Sequence, residues 1–211
     1  HIPGDSPDIV HGQGVAYARY MHSKWPGFGA AWAAWVADVE VNRKTGEVYV
    51  KRVVVGHDAG AVINPAGIEH QIHGNVLQAT SRTLGEQVTV SPQTNTVTSL
   101  EWGSYPILSF RDVPVVEVVS MPRPGEPPLG AGESASVPGT AAIANAIFDA
   151  TGVRFRQPPF TPEVIRAALN QTGPEPQPVA DPASSTPQHL TTNDLPSTAV
   201  WPKRLGWWAR A

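Results

Sequence analysis

The apolar positions of this chain follow two rhythms, separated by clear stops. From Ala31 to Asn42, and again from Glu47 to Gly56, apolar and polar residues alternate, with Val36, Val39 and Val41 in the first run and Val48, Val50, Val53, Val54 and Val55 in the second. Arg43-Lys44-Thr45-Gly46 lies between them. Two β-rich runs about a short glycine-containing turn predict a hairpin. Residues 1–29 are punctuated by Pro3, Gly4, Gly12, Gly14, Pro26 and Gly27, and read as irregular.

After His57-Asp58-Ala59-Gly60 the period lengthens. Asn64-Pro65 is a turn initiator, and a helix is expected from Pro65 to about Gln87. Ile68, Ile72, Val76, Ala79 and Thr83 recur at helical spacing and should face a core, leaving Gln71, Gln78 and Arg82 off the stripe. Gly74 lowers the propensity of this helix by roughly 1 kcal/mol relative to alanine, which points to a close neighbour or ligand there. Short strands are expected at Val88 to Val90 and Thr94 to Leu100, an extended connection at Tyr105 to Arg111, and a further strand at Val113 to Val119. The run Pro122 to Pro128 is a stiff loop leading to Gly130-Ala131-Gly132-Glu133-Ser134. An alanine-rich helix should follow from Pro138 to Thr151, stopped by Gly152 at its C′ position. Thr161-Pro162-Glu163 opens a last helix, with an N-cap, a first-turn proline and an acid near the positive dipole end. These elements predict an α+β domain over residues 1–171, with mixed or antiparallel sheet packed against helices.

Beyond Thr172 the patterning stops. Residues 172–211 hold seven prolines and many serines and threonines, yet also three of the seven tryptophans, Trp201, Trp207 and Trp208. Disordered tails rarely concentrate tryptophan, so this end is expected to dock on a partner or a surface, flanked by Lys203, Arg204 and Arg210. The net charge of −3 gives no basic footprint and argues against nucleic acid as the main partner. With no cysteine, the chain cannot itself ligate an iron–sulfur cluster or form a disulfide. The first residue is His1, and a processed product, a split subunit or a fragment is expected.

Three local features could carry chemistry. Gly130-Ala131-Gly132 allows close backbone approach and presents Glu133 beside an apolar helix. A partly desolvated carboxylate there could act as a general base. The commoner reading of such an acid is one that favours a helix dipole. His70 and His73, with His57 and Asp58 nearby, could hold a metal, although Glu69 and His73 also make a simple i, i+4 helix pair. Gly12-Gln13-Gly14 lacks the third glycine of a dinucleotide fingerprint, and no nucleophile elbow is present.

Taken together and in order, His57-Asp58-Ala59-Gly60, Asn64-Pro65, Gln71-Ile72 with Gly74, Gly130-Ala131-Gly132-Glu133, the run from Ala141 to Pro159, and Thr161-Pro162-Glu163 resemble one family. This is the C-terminal part of the molybdopterin-binding subunit of the xanthine dehydrogenase and aldehyde oxidase family. The branch most resembled contains isoquinoline and nicotinate oxidoreductases and periplasmic aldehyde dehydrogenases. The resemblance implies an oxidoreductase that hydroxylates an aldehyde or an N-heteroaromatic substrate with water-derived oxygen. It implies a molybdenum–molybdopterin cytosine dinucleotide shared with another chain. Glu133 matches the family's catalytic base. Gln71 matches the glutamine beside the metal and pterin, and Gly130, Ala131 and Gly132 match the cofactor loop. The implied partners are a chain carrying the upstream molybdopterin-binding half, a 2Fe–2S subunit and a cytochrome c acceptor, in a periplasmic enzyme. The chain departs from the family at His70, at His73-Gly74-Asn75 and at Gln78-Ala79, positions that bear on pterin contacts and substrate preference. The other reading is a non-catalytic assembly module that keeps the fold.

Overall fold

The computed structural model describes residues 7–24 and 27–171. The expected tail docking of residues 172–211 lies outside them. The chain builds one four-stranded sheet in the order β1 (Ile9–Lys24), β2 (Gly27–Asn42), β3 (Val48–Asp58), β4 (Val115–Ser120). β1, β2 and β3 are antiparallel neighbours, and β4 adds in parallel to β3. Helices α1 (Pro65–Leu84), α2 (Gly132–Ser136), α3 (Gly139–Thr151) and α4 (Pro162–Gln171) complete an α+β fold with a mixed sheet.

The predicted β2–β3 hairpin is present. Asn42 Oδ1 accepts from the backbone N–H groups of Lys44 and Thr45, and Gly46 takes φ +81°, a left-handed conformation that favours glycine. A side chain at Gly46 would also run into the Pro162 carbonyl, so the turn seats the start of α4. Period-2 alternation places Ala31, Ala33, Trp35, Ala37, Val39 and Val41 of β2 in the core with Val53 and Val55 of β3.

Residues 9–24 correct the irregular reading of the N-terminal segment, because they form a 16-residue strand. The glycines that suggested a loop have a tertiary reason. A Cβ at Gly12 would lie 2.2 Å from the Ala146 carbonyl oxygen, and one at Gly14 would lie 2.1 Å from that of Ala142. Helix α3 rests directly on β1, and only glycine leaves it room. On the other side, the strands expected at 88–90 and 94–100 reduce to a single bridge between Val90 and Val97. Both valines are largely exposed, so no core surface rewards a longer ladder. Within the expected connection at 105–111, Phe110–Asp112 forms a short 3₁₀ turn.

Helix α1 starts where the sequence places it. Asn64 Oδ1 accepts from Gly67 N–H at 3.0 Å, with Pro65 in the first turn. Ile72, Val76, Ala79 and Thr83 are buried, as the stripe requires. Gly74 corrects the expectation of a close protein neighbour, since nothing described lies within 4 Å of a Cβ built there. Helix α3 ends at Gly152 with φ +75°.

The helices cover one face of the sheet. On the other face a polar ladder crosses all four strands, from Gln13 to Asp38 to Arg52 to Glu117.

Candidate functional site

The loop that ends in Glu133 is held by the end of β3. Met121 N–H donates to the His57 carbonyl, Arg123 N–H to that of Gly60, Ala61 N–H to that of Glu126, and Leu129 N–H to that of Ala59. Asp58 accepts from Gly60 N–H with one carboxylate oxygen and pairs with Arg123 at 2.6 Å with the other. Arg123 also donates to the Ala30 carbonyl. Gly60 takes φ +74°, and a Cβ there would strike the Pro127 carbonyl oxygen. The segment His57-Asp58-Ala59-Gly60 is thus the seat of the proline-rich loop.

At the end of that loop the chain turns into α2. Ser134 is buried, and its hydroxyl lies 3.1 and 3.2 Å from the carbonyls of Gly130 and Ala131. The same hydroxyl makes a 2.9 Å hydrogen bond with His57 Nε2. Burial pushes the pKa of His57 below its ordinary 6.5, against the opposing charge of Asp58. The unfolded chain therefore takes up a proton near 6.5 that the folded chain refuses. Stability is full above that value and is lost as the pH falls through the window down to the lowered folded value. His57→Gln is expected to flatten this acid-side loss, read as urea midpoints at about pH 7.5, 6 and 5; equal slopes in both proteins would show that His57 is not its source.

Below α2 sits Trp35. It is fully buried, and its indole N–H donates to the Ala135 carbonyl at 2.7 Å. A Cβ on Gly139 would lie 2.8 Å from the Trp35 ring and 3.0 Å from Ala79, so α2 and α3 both rest on the indole and α1 closes on α3 beside it.

This packing brings the sequence candidates together. Glu133 is exposed in the first turn of α2, and the preceding Gly132 lies against Gln71, which is exposed on α1. A Cβ on Gly132 would stand 2.7 Å from Gln71 Oε1 and 3.4 Å from Asn75 Nδ2. Asn75 Nδ2 donates to the Gln71 carbonyl. A Cβ on Gly130 would stand 2.9 Å from the His22 ring. A shallow groove of about 340 Å³ runs beside them, lined by Asn64, Gly67, Gln71, Pro128 and Leu129 among others. The other notable cleft, about 240 Å³ between Leu84, Ile107 and Phe160, contains none of the candidate residues. Among the described residues no three His, Asp or Glu side chains converge on a metal position, so His70 and His73 lack a third ligand there.

Two residues of the site escaped the sequence reading, both on β1. Tyr20 donates to Glu133 Oε2 at 2.5 Å. His22 packs against Tyr20 with tilted rings whose centroids are 4.7 Å apart, and its buried Nε2 has no hydrogen-bond partner among the described residues. The only signal was the series Gly12, Gly14, Ala16, Ala18, Tyr20, His22. It alternates like a strand and grows from small to large.

Comparison with known proteins agrees with this architecture. Residues 10–114 match the molybdopterin cofactor-binding domain. Over 179 residues the chain is 63% identical to one of the subunits of nicotinate dehydrogenase from Pseudomonas putida, covering 85% of this chain and 15% of that protein. An alignment of that length necessarily spans both Gln71 and Glu133. The membrane-bound aldehyde dehydrogenase [pyrroloquinoline-quinone] of Gluconacetobacter polyoxogenes is 34% identical, covering 66% of this chain and 18% of that one. Among solved structures, quinoline 2-oxidoreductase from Pseudomonas putida 86 superposes with a TM-score of 0.65 at 29% identity, covering 69% of this chain and 19% of that one. The chain thus spans less than a fifth of these relatives' length. The chain belongs to the xanthine dehydrogenase and aldehyde oxidase family of molybdenum hydroxylases, and is part of the molybdopterin-binding subunit.

Proposed function

We propose that this chain forms the base-bearing wall of a molybdenum hydroxylase site that oxidises an N-heteroaromatic substrate such as nicotinate. The observation that carries the reading is the convergence of Glu133 and Gln71 at the Gly130–Gly132 loop. The 63% identity to a nicotinate dehydrogenase chain favours the heteroaromatic substrate over an aldehyde.

The residues present fit a pterin-held metal. An anionic pterin needs close backbone approach and neutral donors. The glycines at 130 and 132 supply the first, and the amides of Gln71 and Asn75 supply the second. The space in front of Gly74, one turn from Gln71, is open. In this reading Gln71, Gly130, Ala131 and Gly132 hold the cofactor. When bound, the molybdenum centre polarises a water-derived oxygen and takes up the electrons of the oxidation.

This chain's own contribution is proton transfer. Glu133 Oε2 is occupied by the Tyr20 hydroxyl, while Oε1 has no hydrogen-bond partner among the described residues. Glu133 therefore accepts a proton at Oε1. In this reading the electrons leave through a 2Fe–2S partner, and the upstream half of the cofactor site comes from residues outside these 211.

The test is metal analysis and assay of the enzyme purified with its co-purifying chains. Stoichiometric molybdenum and faster oxidation of nicotinate than of an aliphatic aldehyde are expected. Absence of molybdenum would leave a non-catalytic module, and a preference for the aldehyde would overturn the substrate.

A further inference from the structure

Helix α2 has only five residues, and the Glu133 side chain is exposed on it. A glutamate in that position has three free torsions and would spend much of its time pointing away from the groove. The backbone gives it no help. Ser136 Oγ donates to the Glu133 carbonyl, not to its carboxylate. On α1, the Asn75 side-chain amide donates to the backbone carbonyl of Gln71, not to the Glu133 carboxylate. Among the described residues one hydrogen bond reaches the carboxylate, and it comes from the tyrosine on β1.

That tyrosine is itself well anchored. Tyr20 pairs with Ala31 in the β1–β2 ladder, and its ring is backed by His22 at 4.7 Å. Its O–H···O distance of 2.5 Å lies in the range of charge-assisted bonds to a carboxylate. We propose that Tyr20 is a positioning residue for the reaction, fixing Glu133 Oε2 so that Oε1 faces the substrate. The assignment rests on the base role of Glu133. Strand β1 thus becomes a working wall of the site as well as a support for α3. The bond to Glu133 raises the pKa of the Tyr20 phenol above its ordinary value, with the carboxylate's charge adding to it. Tyr20 therefore stays a donor throughout the neutral range and does not compete as a base. Among the described residues, the other titratable side chain shown in contact with Tyr20 is His22, and α1 presents the amides of Gln71 and Asn75 toward Gly132.

The test uses the assembled enzyme. Tyr20→Phe keeps the ring on His22 and removes the hydroxyl. Turnover should fall roughly ten- to a hundredfold, the worth of a hydrogen bond to a charged group, with KM and molybdenum content unchanged. A second readout needs no turnover. With 3-fluorotyrosine at position 20, the fluorine resonance should titrate at higher pH in the parent than in Glu133→Gln. An unchanged kcat in Tyr20→Phe, or a loss of molybdenum in step with activity, overturns the proposal. Equal fluorine midpoints in the two backgrounds overturn it as well. Full activity in Glu133→Gln would instead remove the base role itself, while the fluorine midpoints would still report whether the bond exists.

Discussion

Glu133→Gln is expected to lower turnover of the assembled enzyme by about two to four orders of magnitude, the usual contribution of a positioned general base. The substitution preserves shape. A glutamine oxygen can still accept from Tyr20, and Gly132 still leaves room for Gln71. What disappears is the ability to take up a proton at the second oxygen. Cofactor content should therefore stay near normal, because the contacts proposed to hold the pterin come from Gln71 and the glycines. Steady-state kinetics normalised to molybdenum per enzyme would check this. Activity within a few-fold of the parent would show that another group is the base.

The second large effect is expected at Trp35, which takes no part in proton transfer. Trp35→Ala should destabilise the fold by about 3–5 kcal/mol, as removal of a buried aromatic ring usually does. Trp35→Phe keeps most of the ring but leaves the Ala135 carbonyl without its donor, and should cost about 1–3 kcal/mol. Because α2 and Gly139 both rest on this indole, stability and activity should fall together. Thermal inactivation of the three proteins should rank parent, Trp35→Phe, Trp35→Ala. An alanine variant as stable as the parent would mean that α2 is held from elsewhere.

The parts of the fold that were legible from sequence are those whose residues solve a local problem. Gly46 answers a left-handed turn, Asn64 and Pro65 answer unpaired amides, and Gly152 answers a helix end. The stripe from Ile72 to Thr83 is likewise local, set by helical period alone. Strand β1 was hidden because Gly12 and Gly14 answer a distant problem, the backbone of α3 more than 120 residues away. Glycine in a sequence looks the same in either case.

The site divides in the same manner. Glu133 could be named as a candidate from its glycine loop, yet its spacing alone suggests an ordinary helix-start acid. Its resemblance to a family pattern gave it a role, and the structure brought Gln71 beside it. The seat built by His57-Asp58-Ala59-Gly60 could not be read locally, because its partners lie in the loop from Met121 to Leu129. Tyr20 was lost with the strand that carries it.

The graded strand β1 also acts as a gauge. A slip of two residues against β2 keeps every side chain on its own face, so alternation alone does not forbid it. Such a slip toward α3 would bring Ala16 to the place of Gly14, where the Ala142 carbonyl lies 2.1 Å from any Cβ. The opposite slip would leave Ala18 facing Glu133, with nothing to donate. The two glycines under the helix therefore proofread the alignment of a hydroxyl that meets a carboxylate at the other end of the same strand.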